Sequence, residues 1–155
     1  MKTRTGLIAG LLGLALTVAA YGAEWETDFT KASEKARRQG KYLLVDFSGS
    51  DWCGWCIRLK KEVFSQPEFQ DYARNNLVCV RLDFPRRKPQ APALKKQNET
   101  LARKYNIRGF PTVLILAPNG ETVGKTGYQP GGARAYVAHL RGIIGQHAPA
   151  GKALD

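Results

Sequence analysis

Hydrophobic positions recur along the chain with two different spacings. Continuous β-prone runs predict strands that are buried on both faces, and apolar residues three and four positions apart predict amphipathic helices. The predicted strands cover 42–47, 77–82, 112–116 and 121–125. The predicted helices cover 29–38, 53–64, 68–75, 94–105 and 133–144. This order indicates an α/β domain with a mixed central β-sheet flanked by helices on both faces.

Residues at the ends of these segments support the boundaries. Asp28 is placed to cap the first helix, and Gly40 is placed to end it. The dipeptide Asn119-Gly120 lies between two β-prone runs, which is typical of a hairpin turn. The last two strands are therefore expected to form a hairpin.

The N-terminal segment differs in composition from the rest of the chain. It contains no acidic residue, and Lys2 and Arg4 precede an apolar run over 6–20 that ends in small residues. This layout is typical of a secretory signal peptide, and the run is shorter than the ~20 residues of a membrane-spanning helix. We expect a cleaved signal peptide over 1–23, one folded domain over 24–147 and a flexible tail over 148–155.

Composition limits the classes of function. The 155-residue chain is 43% hydrophobic and 24% charged, which fits one globular domain and excludes a fibre or a disordered chain. Its 24 Lys and Arg exceed its 13 Asp and Glu, so a nucleic-acid partner has to be considered. The basic residues gather in the proline-rich segment 85–97, where no aromatic residue is interleaved for base stacking. We expect a solvated basic loop that favours acidic partners or anionic surfaces, and no nucleic-acid partner.

The candidate chemistry lies in the segment Trp52-Cys53-Gly54-Trp55-Cys56. Two cysteines separated by two residues at a strand-to-helix junction can close a small disulfide ring. Cys53 is expected at the helix N-terminus, where backbone N–H groups favour a thiolate, so it is the predicted nucleophile. Cys56, one turn later, is expected to be more shielded and to act as the resolving thiol.

Other uses of the cysteines are less favoured. A structural zinc site needs four ligands, and Cys79, His139 and His147 lie at no ligand spacing from one another. A cysteine hydrolase with His139 as base, an inert structural disulfide, and a module that binds a soft metal or unfolded clients are the remaining alternatives. Cys79 is expected to be a reduced core residue. No metal is expected, and no bound cofactor, because the sequence has no nucleotide-binding fingerprint in a strand-to-helix context.

Four short motifs follow one another along the domain. They are Trp25 with Asp28-Phe29 and Ala32, Ser48 to Cys56, Lys60 to Phe64, and Gly109-Phe110-Pro111-Thr112. In order and spacing they resemble the thioredoxin superfamily, and most of all its exported bacterial thioredoxin-like members. They also resemble the C-terminal domain of a periplasmic electron-transfer protein that reduces other envelope oxidoreductases.

The resemblance implies a thioredoxin fold and a periplasmic or secreted thiol–disulfide oxidoreductase. Such a protein reduces or isomerises protein disulfides through a mixed disulfide with the Cys53–Cys56 pair. The implied partners are protein or peptide disulfides and an envelope protein that donates or accepts electrons. A monomer without stable membrane insertion is expected.

The resemblance also implies roles for residues around the cysteines. Pro111 is expected to be a cis-proline opposite the disulfide, leaving the backbone of Phe110 as an edge for an extended substrate. Trp52, Gly54 and Trp55 are expected to border the substrate site.

The resemblance further implies that a buried acid takes a proton from Cys56. Asp46 interrupts an apolar strand, where burial would raise the pKa of its carboxyl group, and we expect it to pair with Arg81 on the next strand. The segment from Asp46 to Cys53 is one residue longer than in thioredoxins, so Asp51 is a rival for this role.

Overall fold

The computed structural model describes residues 22–147. The predicted tail and all but the last two residues of the predicted signal peptide lie outside this range. None of the helices within 22–147 is both long and apolar enough to cross a bilayer.

The strands of the described region form one mixed sheet. They are β1 Trp25–Glu26, β2 Tyr42–Ser48, β3 Leu77–Asp83, β4 Thr112–Leu116 and β5 Thr122–Thr126. Their order across the sheet is β1-β3-β2-β4-β5. Strands β1 and β2 run parallel to β3, whereas β4 runs antiparallel to β2 and β5. The predicted mixed sheet and terminal hairpin are therefore confirmed, and β1 is an addition.

The helices begin and end close to their predicted limits. They are α1 Phe29–Gln39, α2 Gly54–Leu59, α3 Pro67–Asn76, α4 Pro92–Lys104 and α5 Gly132–His147. As predicted, the Asp28 carboxylate caps α1 by accepting the N–H of Lys31 at 3.0 Å, and Gly40 ends it with φ 63°.

Two predicted segments differ in detail from the structure. The segment 53–64 is helical as predicted, but Cys53 is the N-cap of α2 and Lys60–Phe64 continues α2 as a π-helical turn. Helix α4 begins at Pro92, two residues before its predicted start, because proline is favoured in the first turn of a helix. The basic loop is therefore shorter and covers 84–91.

The core has a layer on each face of the sheet. Successive side chains of β2 point to opposite faces. Leu44 packs in the layer that contains Val63 and Phe64 of the π-helical turn and Tyr136 of α5. Leu43, Val45 and Phe47 pack in the other layer with α1 and α4, through Ala32 and Leu101 among others. The prediction that β2 is buried on both faces is confirmed.

The sheet topology brings three segments to the same end of the central strands. Strands β2 and β3 are parallel, so the loops that follow them, 49–53 and 84–91, leave the sheet at the same end. Strand β4 is antiparallel and begins at that end, where Thr112 pairs with Phe47. This end of the sheet therefore holds the cysteine pair, the basic loop and Pro111.

Candidate active site

Cys53 and Cys56 are joined by a disulfide at the start of α2. Their Cα atoms are 5.2 Å apart, within the usual range for a disulfide. The N–H of Cys56 donates to the sulfur of Cys53 at 3.2 Å, and the N–H of Gly49 donates to the sulfur of Cys56 at 3.5 Å. Cys53 is 6% exposed and Cys56 is 4% exposed, so the two residues are almost equally buried and the expected difference in shielding is small.

The loop before Cys53 is shaped around Trp52. The carbonyl of Gly49 accepts the N–H groups of Trp52 and Cys53. A side chain at position 49 would collide with the indole of Trp52, so this turn requires glycine. The indole N–H of Trp52 donates to the carbonyl of Phe84 at 2.7 Å. Trp52 therefore links the loop that precedes Cys53, residues 49–53, to the basic loop.

Aromatic side chains form a wall beside the disulfide. The ring of Trp52 meets that of Phe110 edge-on with centroids 5.9 Å apart, and Phe84 packs on Phe110 at 4.9 Å. The guanidinium of Arg86 lies 3.6 Å from the centroid of the Trp52 ring. The peptide bond between Phe110 and Pro111 is cis. Phe110 and Trp52, two predicted site residues, are thus in direct contact.

A second cluster of side chains surrounds Trp55. Trp55 is 55% exposed, and its ring lies 5.0 Å from that of Tyr128. The guanidinium of Arg58 lies over both rings. Glu62 accepts a hydrogen bond from the Tyr128 hydroxyl at 2.6 Å and one from Arg58 Nε at 2.7 Å. Trp55 therefore presents an apolar surface that its neighbours hold in place.

Tyr128 was missed by sequence reasoning. It lies in the loop after β5, 66 positions from Glu62, and no local pattern connects the two residues. The i,i+4 spacing of Arg58 and Glu62 was visible in the sequence and is typical of a helix-surface ion pair.

Asp46 is a buried carboxylic acid on the central strand. It is 2% exposed, and its Oδ2 accepts a hydrogen bond from Arg81 Nε at 3.0 Å, which is the predicted pair. Its Oδ1 finds no hydrogen-bond donor within residues 22–147. Burial raises the pKa of Asp46 to about 6, although the Arg81 charge acts in the opposite direction. Asp46 and Leu44 are two residues apart, so both face the layer covered by the helical segment that carries Cys56.

Asp51, the other candidate acid, lies in different surroundings from Asp46. Its carboxylate accepts the backbone N–H groups of Arg86, Arg87 and Lys88 at 3.0, 2.8 and 3.0 Å. These hydrogen bonds lower the pKa of Asp51, and the one from the N–H of Arg86 has the largest effect. Asp51 therefore anchors the basic loop, and its lowered pKa makes it a weaker proton acceptor than Asp46, whose pKa is raised.

We expect the substitution Asp51→Asn to loosen the basic loop. The neutral amide offers one acceptor oxygen in place of a charged carboxylate, so the N–H groups of residues 86–88 lose partners. Their amide hydrogens should exchange about tenfold faster, measured by hydrogen exchange with NMR or mass spectrometry. Asp71→Asn, which changes an exposed acid on α3, is the matched control and should leave this exchange unchanged. Equal protection of the loop in both variants would contradict the anchoring role.

The other candidate ligands and bases lie elsewhere. His139 Nε2 is hydrogen-bonded to Thr126 Oγ1 at 2.9 Å on the α5–β5 side, so the hydrolase alternative lacks its expected base beside Cys53. Cys79 is buried and unpaired, and burial raises the pKa of its thiol to about 12. Within residues 22–147, no three His, Cys, Asp or Glu side chains are grouped to hold a metal ion.

The fold and the site together define a class of protein. A mixed sheet of this order, with a Cys-Gly-Trp-Cys disulfide after the central strand and a proline before the antiparallel strand, is that of a thioredoxin-fold thiol–disulfide oxidoreductase. The chain belongs to the thioredoxin-like domain family, whose model matches residues 29–140.

Comparison with known proteins supports the assignment to this family. The disulfide bond reductase DsbH of Chlamydia pneumoniae is 31% identical over 127 residues, which cover 82% of this chain and 76% of that protein. A solved structure of DsbH oxidoreductase superposes with a TM-score of 0.77 at 29% identity, covering 89% of this chain and 95% of the other. The thiol:disulfide interchange protein DsbD of Klebsiella pneumoniae is 31% identical over 109 residues, but these are 68% of this chain and only 16% of DsbD.

Proposed function

We propose that this protein is an exported reductase of protein disulfides in which Cys53 is the nucleophile and Cys56 the resolving thiol. The observation that carries the proposal is the Cys53–Cys56 disulfide at the start of α2, where the N–H of Cys56 donates to the sulfur of Cys53. Such an N–H favours the ionised sulfur after reduction. The similarity to a relative named as a disulfide bond reductase supports the reducing direction.

The reaction proceeds by two thiol–disulfide exchanges. The Cys53 thiolate attacks one sulfur of a substrate disulfide, and the other substrate sulfur leaves as a thiolate that takes up a proton. The Cys56 thiolate then attacks the Cys53 sulfur of the mixed disulfide and releases the second substrate thiol. Two electrons pass from the Cys53–Cys56 dithiol to the substrate, and the protein is left as the disulfide.

Asp46 accepts the proton of Cys56 in the second exchange. Its pKa of about 6 leaves it ionised near neutral pH yet basic enough to take a proton. The free Oδ1, without a donor within residues 22–147, supplies the accepting atom, while Arg81 holds Oδ2.

The substrate lies as an extended segment against the backbone of Phe110 beside the cis Pro111. Trp52 and Phe110 border this segment on one side, and Trp55 borders it on the other. Gly54 is exposed and has open space where a side chain would stand, so the substrate backbone can approach Cys53 closely.

The protein acts as a monomer in the periplasm and receives electrons from another protein. The basic and apolar leader in the sequence supports export. The chain is similar to a small part of DsbD, a thiol:disulfide interchange protein. This similarity supports an exchange of electrons with another thiol–disulfide oxidoreductase.

We expect the purified protein to accelerate the reduction of insulin by dithiothreitol. The reduction potential of the Cys53–Cys56 pair, measured by thiol alkylation in a Cys79→Ala background, should lie at or below about −230 mV, as for a reductant. The Cys79→Ala variant should retain insulin turnover because the Cys79 thiol is buried away from the reaction. A potential at or above about −180 mV would instead assign an oxidant or isomerase. Absence of turnover, with metal-dependent protection of the thiols, would favour the binding module.

A further inference from the structure

A basic groove opens beside the aromatic wall. Its volume is about 450 Å³, and its lining includes Trp52 and Phe110 together with the charged residues Arg86, Lys88 and Lys95. The three basic side chains are exposed. Glu99 is the single acidic residue in its lining within the described part of the chain. The groove therefore carries an excess of positive charge and adjoins the residue before Cys53.

The groove is held in a fixed shape by contacts to its backbone. Asp51 binds three consecutive N–H groups of the loop that carries Arg86 and Lys88. Behind the loop, the carbonyl of Asp83 accepts hydrogen bonds from the side chains of Gln90 and Asn98, at 2.9 and 2.8 Å. A surface that is already ordered loses little conformational entropy when it binds a partner.

Arg86 is the basic residue of the groove that stacks on Trp52, the residue before Cys53. Its guanidinium is stacked on the Trp52 ring, and that ring is tied to the carbonyl of Phe84. The guanidinium of Arg58, beside Trp55, is paired with Glu62. Arg86, Lys88 and Lys95 form no ion pair within residues 22–147, so the groove keeps its positive charge for a partner.

We propose that this groove binds acidic side chains of the substrate polypeptide and so selects disulfides that are flanked by Asp or Glu. The inference rests on the proposed function, because the acidic residues belong to the segment whose disulfide Cys53 attacks. Carboxylates match the arginine and lysine groups of the groove in charge and in hydrogen bonding. Long-range attraction to the groove also raises the rate of encounter with such substrates.

The test compares two disulfide-containing peptides of the same length. In one, three Glu residues flank the disulfide, and in the other they are replaced by Gln. The second-order rate of oxidation of the reduced protein by each peptide is measured, and the acidic-to-neutral ratio is taken within each variant so that a change in intrinsic activity cancels. We expect a ratio of about ten at low salt, falling toward one at about 1 M salt.

The decisive variant neutralises the groove by Arg86→Gln, Lys88→Gln and Lys95→Gln, and its ratio should fall to about one. The matched control, Arg37→Gln, Arg38→Gln and Lys104→Gln, removes the same charge at the ends of α1 and α4 and should keep the ratio of the unmodified protein. An equal fall in both variants would overturn the assignment to the groove, since net charge alone would then set the preference.

Other outcomes separate this proposal from the proposed function. If the unmodified protein reduces both peptides at the same rate, the selection is overturned and the oxidoreductase function stands. If it reduces neither peptide, both proposals fail. Vesicles that contain 30% phosphatidylglycerol are included as a probe. Vesicle binding that is lost in the groove variant, with no preference between the peptides, would overturn the proposal in favour of a lipid surface.

Discussion

Replacing Cys56 with serine is expected to hold the protein in covalent complexes with its substrates. Cys53 still attacks a substrate disulfide, but the serine hydroxyl cannot displace the substrate thiol, so the mixed disulfide accumulates. Insulin turnover should fall by at least about a thousandfold, as when one member of a catalytic unit is removed. When the variant is incubated with a disulfide substrate, non-reducing gels should show a covalent complex, and dithiothreitol should cleave it.

The matched control is the double variant with Cys53→Ser and Cys56→Ser. It keeps buried Cys79 as its one cysteine and should form no complex, since burial holds that thiol protonated and out of reach. Complexes that persist in the double variant, or that form through Cys56 in a Cys53→Ser variant at the same rate, would contradict the assignment of Cys53 as nucleophile.

The parts of the fold that the sequence predicts are those set by local patterns. Strand β2 is recognisable as a β-prone, mainly apolar run, and this composition suits a strand that is paired on both edges and covered on both faces. The cap of α1 depends on Asp28 and on a backbone N–H only three residues away. The Asp46–Arg81 pair was also accessible, because two adjacent parallel strands in this register place the residues opposite one another.

The parts that the sequence did not predict depend on contacts between distant positions. Strand β1 has two residues, too few for any periodicity, and it is defined by its pairing with β3. The stacking of Tyr128 on Trp55 and the binding of the basic loop by Asp51 join residues from separate loops. The π-helical turn is a change in hydrogen-bond register, and its composition does not distinguish it from an α-helix.

The cysteine loop, residues 49–53, and the basic loop form one structural unit. Ser50 donates from its N–H and its hydroxyl to the Asp83 carboxylate at 2.9 and 2.6 Å, and Asp51 anchors the loop that follows Asp83. Ser50 and Asp51 thus provide the contacts that position the basic loop. A change in either loop is therefore expected to alter the other, and with it the surface next to the disulfide.

Replacing Asp46 with asparagine is expected to alter both the stability and the pH dependence of the protein. The pKa of Asp46 is about 6 in the folded protein, above its ordinary value of 3.8. Between these values the folded protein keeps a proton that the unfolded chain has lost, so the stability contributed by this group falls as pH rises through the interval. From pH 4 to pH 7 the oxidised Asp46→Asn variant should therefore gain about 2 kcal/mol relative to the unmodified protein, measured by urea unfolding.

The same substitution should slow the resolving step. In the unmodified protein the rate at which Cys56 releases the substrate from the mixed disulfide is expected to rise with pH as Asp46 ionises near pH 6. Loss of this proton acceptor should lower the rate near pH 7 by about a hundredfold and remove the inflection near pH 6. Asp71→Asn, at an exposed position, is the control for both measurements. An inflection near pH 6 that persists in Asp46→Asn would assign the titration to another group, even if the variant were slower, because a merely structural defect lowers the rate without moving the profile.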